Sequence, residues 1–272
     1  MIGIGRLLAT ARRLGLVALG AAAVLAVGGQ AQAFVLNFDD DGGVGANDIV
    51  HGQVIDDEFT LASGGVPGTG GVLGVTVSAK NNGGGPNLAV AFDSSLSGTR
   101  DSDLEGPFAI ASGSEAYATE LTNPGNILIV QENNWGCADG VCNYPDDEGG
   151  GPNSIKFVFS EAVTLSSIDV FDIDAGSQNE SATLRFFSDA AMQNSLGTVS
   201  VSAFGNNTAK RVFFNGSQGI AGVVAMKATL SSSGAFSNLA GTIPEQQVPT
   251  PGTLALLAVG LAGLARVRRR AA

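Results

Sequence analysis

Turn residues divide the second half of the chain into short segments of strand-forming residues, at intervals of about ten residues. Six of these segments are rich in β-branched and aromatic residues, which favour strands: residues 155–159, 163–171, 182–187, 198–203, 211–214 and 223–230. Between the two ends of the chain, no stretch has the apolar periodicity of an amphipathic helix of about twelve residues. The pattern predicts an all-β fold, a single β-sandwich arranged as a jelly roll.

The first half is less regular, because glycine-rich loops separate its strand candidates. These candidates are residues 34–38, 49–55, 72–79, 88–92 and 127–131. The triglycines at 83–85 and 149–151 lack the Lys and Ser or Thr that complete a phosphate-binding loop, so we interpret both as turns. About 215 residues lie between the two ends of the chain, which is enough for one domain with its own core. The sandwich is predicted to occupy residues 34–243.

The N-terminus has the three parts of a secretory signal peptide. Arg6, Arg12 and Arg13 form a positive region, and an apolar stretch covers residues 14–27. Ala31 and Ala33 then form an A-x-A cleavage site, which predicts a mature protein that starts at Phe34. Residues 1–33 are therefore expected to meet the Sec translocon and signal peptidase, and the protein is expected to be exported.

The C-terminus, residues 244–272, combines a linker with a second tripartite segment. Val248, Pro249, Thr250, Pro251 and Gly252 are followed by an apolar stretch over 253–265 and by Arg266, Arg268, Arg269 and Arg270. This order resembles the PEP-CTERM sorting signal, in which Thr250 occupies the position of the central Glu. The resemblance implies recognition by an exosortase-like transpeptidase, cleavage near 249–252, transient anchoring in the inner membrane and a link to exopolysaccharide.

A permanent anchor is the alternative interpretation of this segment. Thirteen apolar residues in a helix span about 20 Å, whereas the hydrocarbon core of a bilayer is about 30 Å thick. A stable span would need snorkelling arginines or local thinning of the bilayer. The sorting signal is the interpretation that the short span favours.

The charge of the body between the two ends restricts its partners. Seven of the fourteen basic residues are arginines of the leader and tail, so the body keeps seven basic against 25 acidic residues, a net charge of −18. Such a surface repels nucleic acid and anionic membranes and attracts divalent cations. A nucleic-acid partner is not expected.

The two cysteines, Cys137 and Cys142, are separated by four residues. An exported chain meets an oxidising compartment, so a local disulfide is predicted. The spacing does not match a CxxC redox pair, and no histidine lies nearby to complete a zinc site.

Acidic residues in loops form the strongest candidate site. Asp101, Asp103 and Glu105, with Gly106, match the first half of an EF-hand loop, but Ser112 stands where the twelfth-position Glu belongs. A structural Ca²⁺ site drawn from separate loops is the remaining hypothesis, and a solvated acidic rim is its alternative. The candidate ligands are Asp93, Asp101, Asp103, Glu132, Asp146 and Asp147. Asp172 and Asp174 are ranked below these ligands. The period of two predicts that they lie on the same strand face as Ile168 and Val170.

The sequence gives no catalytic signature. The only histidine, His51, is expected on a half-exposed strand, and no serine is marked as its nucleophile. No spacing singles out a pair of carboxylates of the kind that glycosidases use. Trp135 and Tyr144 flank the cysteine loop, where aromatic rings either cover a sandwich edge or stack on sugars. Covering the edge is the preferred interpretation.

A second resemblance extends over most of the body. Residues 92–95, 101–104, 126–132, 155–159, 166–174 and 233–239 are similar to ectodomains that accompany PEP-CTERM tails and that look like galactose-binding jelly rolls. The resemblance to PEP-CTERM proteins implies a cell-surface or extracellular-matrix protein associated with exopolysaccharide. Together with the absence of a catalytic signature, it predicts a binding or structural sandwich and not an enzyme. The alternatives are a secreted carbohydrate-active enzyme and a permanently anchored adhesin.

Overall fold

The fold is described by a computed structural model that covers residues 31–40, 48–147, 150–176 and 179–244. The predicted leader up to residue 30, the sorting motif at 248–252, the apolar stretch and the arginine cluster lie outside the described residues. Among the described residues, no helix is long and apolar enough to cross a membrane.

The described part of the chain is mostly β-structure, with a single short α-helix, α1 (Ala118–Thr122). The strands are β1 (Gln32–Leu36), β2 (Val75–Lys80), β3 (Ala89–Asp93), β4 (Ala109–Ile110), β5 (Asn126–Val130), β6 (Cys137–Ala138), β7 (Val141–Cys142), β8 (Asn153–Ile173), β9 (Ser181–Phe187), β10 (Ser195–Ser202), β11 (Gly205–Phe213), β12 (Ile220–Leu230) and β13 (Ala235–Ile243). The prediction of an all-β sandwich is confirmed, and its architecture is consistent with a jelly roll.

Strand β8 connects the two layers of the sandwich. It is 21 residues long and merges the two strands predicted at 155–159 and 163–171. Its first part lies between β2 and β12, in a layer ordered β10-β9-β12-β8-β2. Its last part lies between β11 and β13, in a layer ordered β11-β8-β13-β5-β3. All of these pairings are antiparallel; β4 joins β11 in parallel.

The main core fills the space between the layers and includes eight phenylalanines. Twelve of the fourteen phenylalanines of the chain are buried. Phe186 and Phe214 meet edge to face with ring centroids 4.8 Å apart, a geometry that aromatic pairs favour. Alternate residues of β5, such as Leu128 and Val130, point into this core.

A smaller core lies on the opposite face of β3 and β5. Ile127 and Ile129 of β5 point into it, so β5 is buried on both faces and its sequence is continuously apolar after Asn126. The segment between β3 and β5 covers this face with Leu104, Phe108 and Leu121. The same segment carries Asp101 and Asp103, so the second core determines where the acidic residues lie.

The first and last strands of the domain are neighbours. β1 pairs with β13 along its whole length, from Gln32 opposite Ile243 to Leu36 opposite Leu239. The strand therefore begins just before the predicted mature start at Phe34. Cleavage after Ala33 would leave three of its five residues in the sheet.

Candidate functional site

The six acids predicted as one site occupy three separate places in the structure. Asp93 ends β3 beside His51, and its backbone N–H donates to His51 Nδ1 at 3.1 Å. Glu132 and Asp146 line an open cleft. Asp101, Asp103 and Asp147 come together in a buried group that also includes Asp172. The structure thus brings three of the six together. It adds Asp172, which the sequence analysis ranked below those six.

The cleft has a volume of about 640 Å³ and lies between the triglycine turn and the loop before the disulfide. Its lining residues are Gly83, Gly84, Gly85, Pro86, Arg100, Glu132, Asn133, Asn134, Trp135 and Asp146. Amide, carboxylate and guanidinium groups thus surround one aromatic ring. This mixture of hydrogen-bonding groups and an aromatic face is suited to a polar, hydroxylated ligand.

Close backbone contacts explain the glycines of the cleft wall. A Cβ atom at Gly85 would overlap the carbonyl oxygen of Glu132, and one at Gly83 would overlap that of Gly150. Asn81 holds the turn from inside: its Nδ2 donates to Gln131 O at 2.8 Å, and its Oδ1 accepts the Gly83 N–H at 2.7 Å. The triglycine therefore brings two loops together at backbone distance.

The aromatic residues beside the disulfide are exposed. Trp135 and Tyr144 are 55% and 49% accessible, so the expectation that they cover a sandwich edge is wrong. The guanidinium carbon of Arg100 lies 4.7 Å from the Trp135 ring centroid and 5.8 Å from that of Tyr144. Cation–π stacking of this kind fixes the orientation of both partners. The sequence contained no signal that pointed to Arg100.

Glu132 and Asp146 bring two carboxylates close together in the cleft wall. Burial raises the pKa of Glu132, and the negative charge of Asp146 raises it further. Buried Gln131 connects the two loops: its Nε2 donates to Asn133 O and Tyr144 O, at 2.9 and 3.0 Å. The Nδ2 group of Asn133 donates to Asp146 Oδ2 at 3.3 Å. The polar wall is therefore held by hydrogen bonds before any ligand binds.

The predicted disulfide between Cys137 and Cys142 is confirmed. It joins β6 to β7 across a tight hairpin, in which Cys137 and Cys142 are paired residues. The hairpin is also held from outside, because the Cys142 N–H donates to Gly52 O and the Val54 N–H donates to Gly140 O, each at 2.7 Å. The bridge therefore stabilises the loop that follows Trp135 and precedes Tyr144.

The buried group is joined to the cleft wall through the chain. Asp101, Asp147 and Asp172 are 1%, 3% and 2% accessible, and Asp103 is half-buried. Asp101 and Asp147 follow the cleft residues Arg100 and Asp146 in sequence. The carboxyl group of Asp101 is in hydrogen-bonding contact with those of Asp103 and Asp147.

An irregularity in β8 places Asp172 in this group. Asp172 has a φ of 55°, in the left-handed region that Asp tolerates better than most residues. Ile168, Val170 and Ile173 belong to the main core, so the alternation of core-facing residues along the strand shifts by one residue after Val170. Opposite this point, β11 has a bulge between Gly205 and Ala209. The prediction that Asp172 shares the face of Ile168 and Val170 is therefore wrong.

One further acidic group lies elsewhere on the surface. Among the described residues, Asp56, Asp57 and Glu58 are the group whose carboxylate oxygens all lie within 4.8 Å of one another. The two aspartates are exposed, and both oxygens of Glu58 already accept hydrogen bonds, from Gln53 Nε2 and the Asp56 N–H. The group resembles the solvated acidic rim that the sequence offered as an alternative.

Comparison with known proteins identifies a sorting motif at the C-terminus of the chain. No curated protein matches the sequence significantly. Residues 247–270 match the PEP-CTERM protein-sorting motif, which confirms the assignment made from the prolines, the apolar stretch and the terminal arginines. The chain is therefore an exported protein that carries a PEP-CTERM sorting motif, the signal by which an exosortase recognises its substrates.

Proposed function

We propose that the sandwich binds extracellular polysaccharide in the cleft beside Trp135, and that the protein acts at the cell surface as a binding or structural component of the matrix. In this account the Sec translocon exports the chain and signal peptidase removes residues 1–33. The C-terminal segment then holds the protein in the inner membrane until an exosortase-like transpeptidase cuts near 249–252.

The exposed ring of Trp135 is the observation that supports this proposal most directly. A half-exposed tryptophan, stacked on Arg100 and bordered by the amides of Asn133 and Asn134, offers one apolar face and several hydrogen-bonding groups. Sugars present the same combination of C–H faces and hydroxyl edges. Because the body carries a net charge of −18, the expected ligand is a neutral polysaccharide rather than a polyanion.

Intrinsic fluorescence tests the proposal, since Trp135 is the only tryptophan of the chain. Titration with neutral exopolysaccharides is expected to shift its emission. Calorimetry is expected to show that Trp135→Ala weakens binding at least about tenfold, as loss of an aromatic anchor does. Leu196→Ala, an exposed apolar residue on β10, is the matched control and should bind normally. Equal affinity of the wild-type protein and Trp135→Ala would exclude the cleft.

A carbohydrate-active enzyme is the second candidate function. The raised pKa of Glu132 beside Asp146 is what a general acid next to a carboxylate requires. Incubation of the same polysaccharides with the protein and with Glu132→Gln distinguishes the two functions. Release of reducing ends that stops in Glu132→Gln would favour the hydrolase, whereas binding without turnover supports the matrix protein.

A further inference from the structure

The sandwich has two different ends, and the cleft lies at one of them. Strand β12 runs the length of its layer from Ile220 to Leu230, and Leu230 pairs with Asn153 at the start of β8. The Oδ1 atom of Asn153 accepts the N–H of Asn82, next to the triglycine turn, at 3.1 Å. At the usual rise of a strand, β12 separates this end from the other by about 30 Å.

The C-terminal strand finishes at the opposite end of the sandwich. Leu165 of β8 pairs with both Ile220 and Gly241, and β13 ends two residues later, at Ile243. The C-terminal tail therefore leaves the domain at the end that lies away from the cleft. We call this end of the sandwich the tail end.

Loops from several parts of the chain meet at the tail end. Gln32, which is opposite Ile243, donates from Nε2 to Gly68 O at 2.7 Å, and the Ser160 N–H donates to Gly74 O at 2.8 Å. Strands β9 and β11 also finish here, because each is antiparallel to a strand that begins at this end. The segments of the tail end are therefore residues 60–74, 160–164, 188–194 and 214–219.

The tail end carries little charge, although the body as a whole is strongly acidic. In these four segments the charged residues are Glu161 and Asp189. The carboxylate of Asp189 accepts backbone N–H groups of its own loop, from Gln193 and Asn194. The exposed acidic group at 56–58 lies back along β2, where the Asp56 carbonyl oxygen accepts the Val77 N–H. Of the two ends, this one opposes approach to a bilayer less, since the cleft end holds the buried carboxylates and the acidic cleft wall.

Loop 60–74 exposes two aliphatic side chains on a well-packed frame. Leu61 is 52% accessible and Val72 is 47% accessible. Val66 and Leu73 of the same loop are buried in the main core, and the Val66 N–H donates to Leu73 O at 2.8 Å. The two arms of the loop are therefore held side by side, with exposed apolar groups on both.

The polar groups of this loop are largely satisfied from within. The hydroxyl group of buried Thr69 donates to Val66 O at 2.7 Å, and the Gly65 N–H donates to Thr60 O at 2.9 Å. Backbone groups that enter a membrane need internal partners, because lipid chains offer none. The loop can therefore contact the headgroup region without giving up these hydrogen bonds.

We propose that loop 60–74 rests on the lipid bilayer while the tail is anchored there, with Leu61 and Val72 in the interface and the cleft directed away from the membrane. This proposal rests on the membrane-anchored stage of the proposed function. Ten residue steps join Ile243 to Thr253, where the apolar stretch begins, a distance of at most about 35 Å. So short a tether keeps the tail end at a high local concentration of lipid, which compensates for the small apolar area of two side chains.

Site-specific fluorescence in vesicles tests the orientation. The two cysteines of the chain form the disulfide, so a fluorophore can be attached to an introduced cysteine in the chain that starts at Phe34 and retains its tail. In phosphatidylcholine vesicles, labels at Leu61→Cys and Val72→Cys should shift to the blue and lose emission to nitroxide-bearing lipids. Lys80→Cys, an exposed position at the far end of β2, is the matched control and should show neither effect.

Flotation of the same vesicles separates this proposal from the anchored stage on which it rests. Protein that fails to float would overturn both. Floating protein whose Leu61→Cys label stays in water, or whose Lys80→Cys label is quenched equally, would overturn the bilayer contact alone. A label that responds only when the vesicles also contain an exosortase would replace the lipid with a protein partner. These measurements do not involve polysaccharide, so their outcome is independent of the binding role of the cleft.

Discussion

His51 shows how its surroundings select one protonation state of a side chain. Its Nδ1 accepts the Asp93 N–H at 3.1 Å, and its ring packs against Phe92 with centroids 5.1 Å apart. Burial lowers the pKa of His51, and the charge of Asp93 offsets part of that effect. The neutral imidazole, protonated at Nε2, is therefore the form that fits the folded protein.

The lowered pKa makes a prediction about acid stability. The stabilising contribution of neutral His51 is present above the unfolded pKa of about 6.5 and is lost as the pH falls through the lower folded pKa. Between pH 7 and pH 5, urea unfolding should show the wild type losing more stability than His51→Asn, whose side-chain oxygen can still accept the Asp93 N–H. Parallel pH profiles for the two proteins would contradict this account.

At the residue scale, the sequence predicted which residue types form the sites better than it predicted where their side chains lie. It identified the disulfide and three of the four clustered carboxylates, because acids in loops and paired cysteines in an exported chain have few alternatives. It ranked Asp172 below the loop acids and assigned it to the wrong strand face, since a period of two cannot anticipate the bulge opposite it. It also missed Arg100, whose stacking on Trp135 depends on two loops meeting in space.

The triglycine turn is the element on which the cleft depends. Gly85 lies against the backbone of Glu132, and Asn81 holds both loops at that distance. Glycine is needed at this position because a side chain there would collide with the backbone of the neighbouring loop. The cleft wall is therefore formed by a turn that cannot accept larger residues.

Substitution at the turn tests this dependence. Gly85→Ala should destabilise the protein by about 1 to 3 kcal/mol, the usual cost of overpacking, and should weaken polysaccharide binding as the wall shifts. Gly150→Ala is the matched control, because a Cβ at Gly150 has no atom within 4 Å, and it should change the stability by less than about 0.5 kcal/mol. Urea unfolding of both variants measures the difference. Equal stabilities would show that the loops adjust without cost.

At the scale of strands, alternation and turn residues located most of the sheet. The two predicted segments at 155–159 and 163–171 are one strand, because β8 continues through residues 160–162 as it crosses between layers. Short pairs such as β6 and β7 were not predicted, since two residues carry no periodic signal. Strand order also requires contacts between distant segments, which local patterns do not encode.

For the whole molecule, the two ends of the gene product are expected to be removed. Intact mass spectrometry of the surface or secreted form should give a chain that starts at Phe34 and ends near 249–252. Deleting residues 266–270 should prevent processing, whereas Arg185→Ala, an exposed arginine on β9, should not. Surface protein that retains residues 266–270 would instead identify a permanently anchored adhesin.

The pairing of β1 with β13 has a consequence for this processing. Gln32 and Ile243 are opposite each other, so the leader and the tail join the domain at the same edge. Val248 is five residue steps beyond Ile243, a distance of at most about 17 Å in a fully extended chain. In the proposed processing, an exosortase in the bilayer would therefore work within a narrow gap, with this edge of the folded body against the membrane until the protein is released.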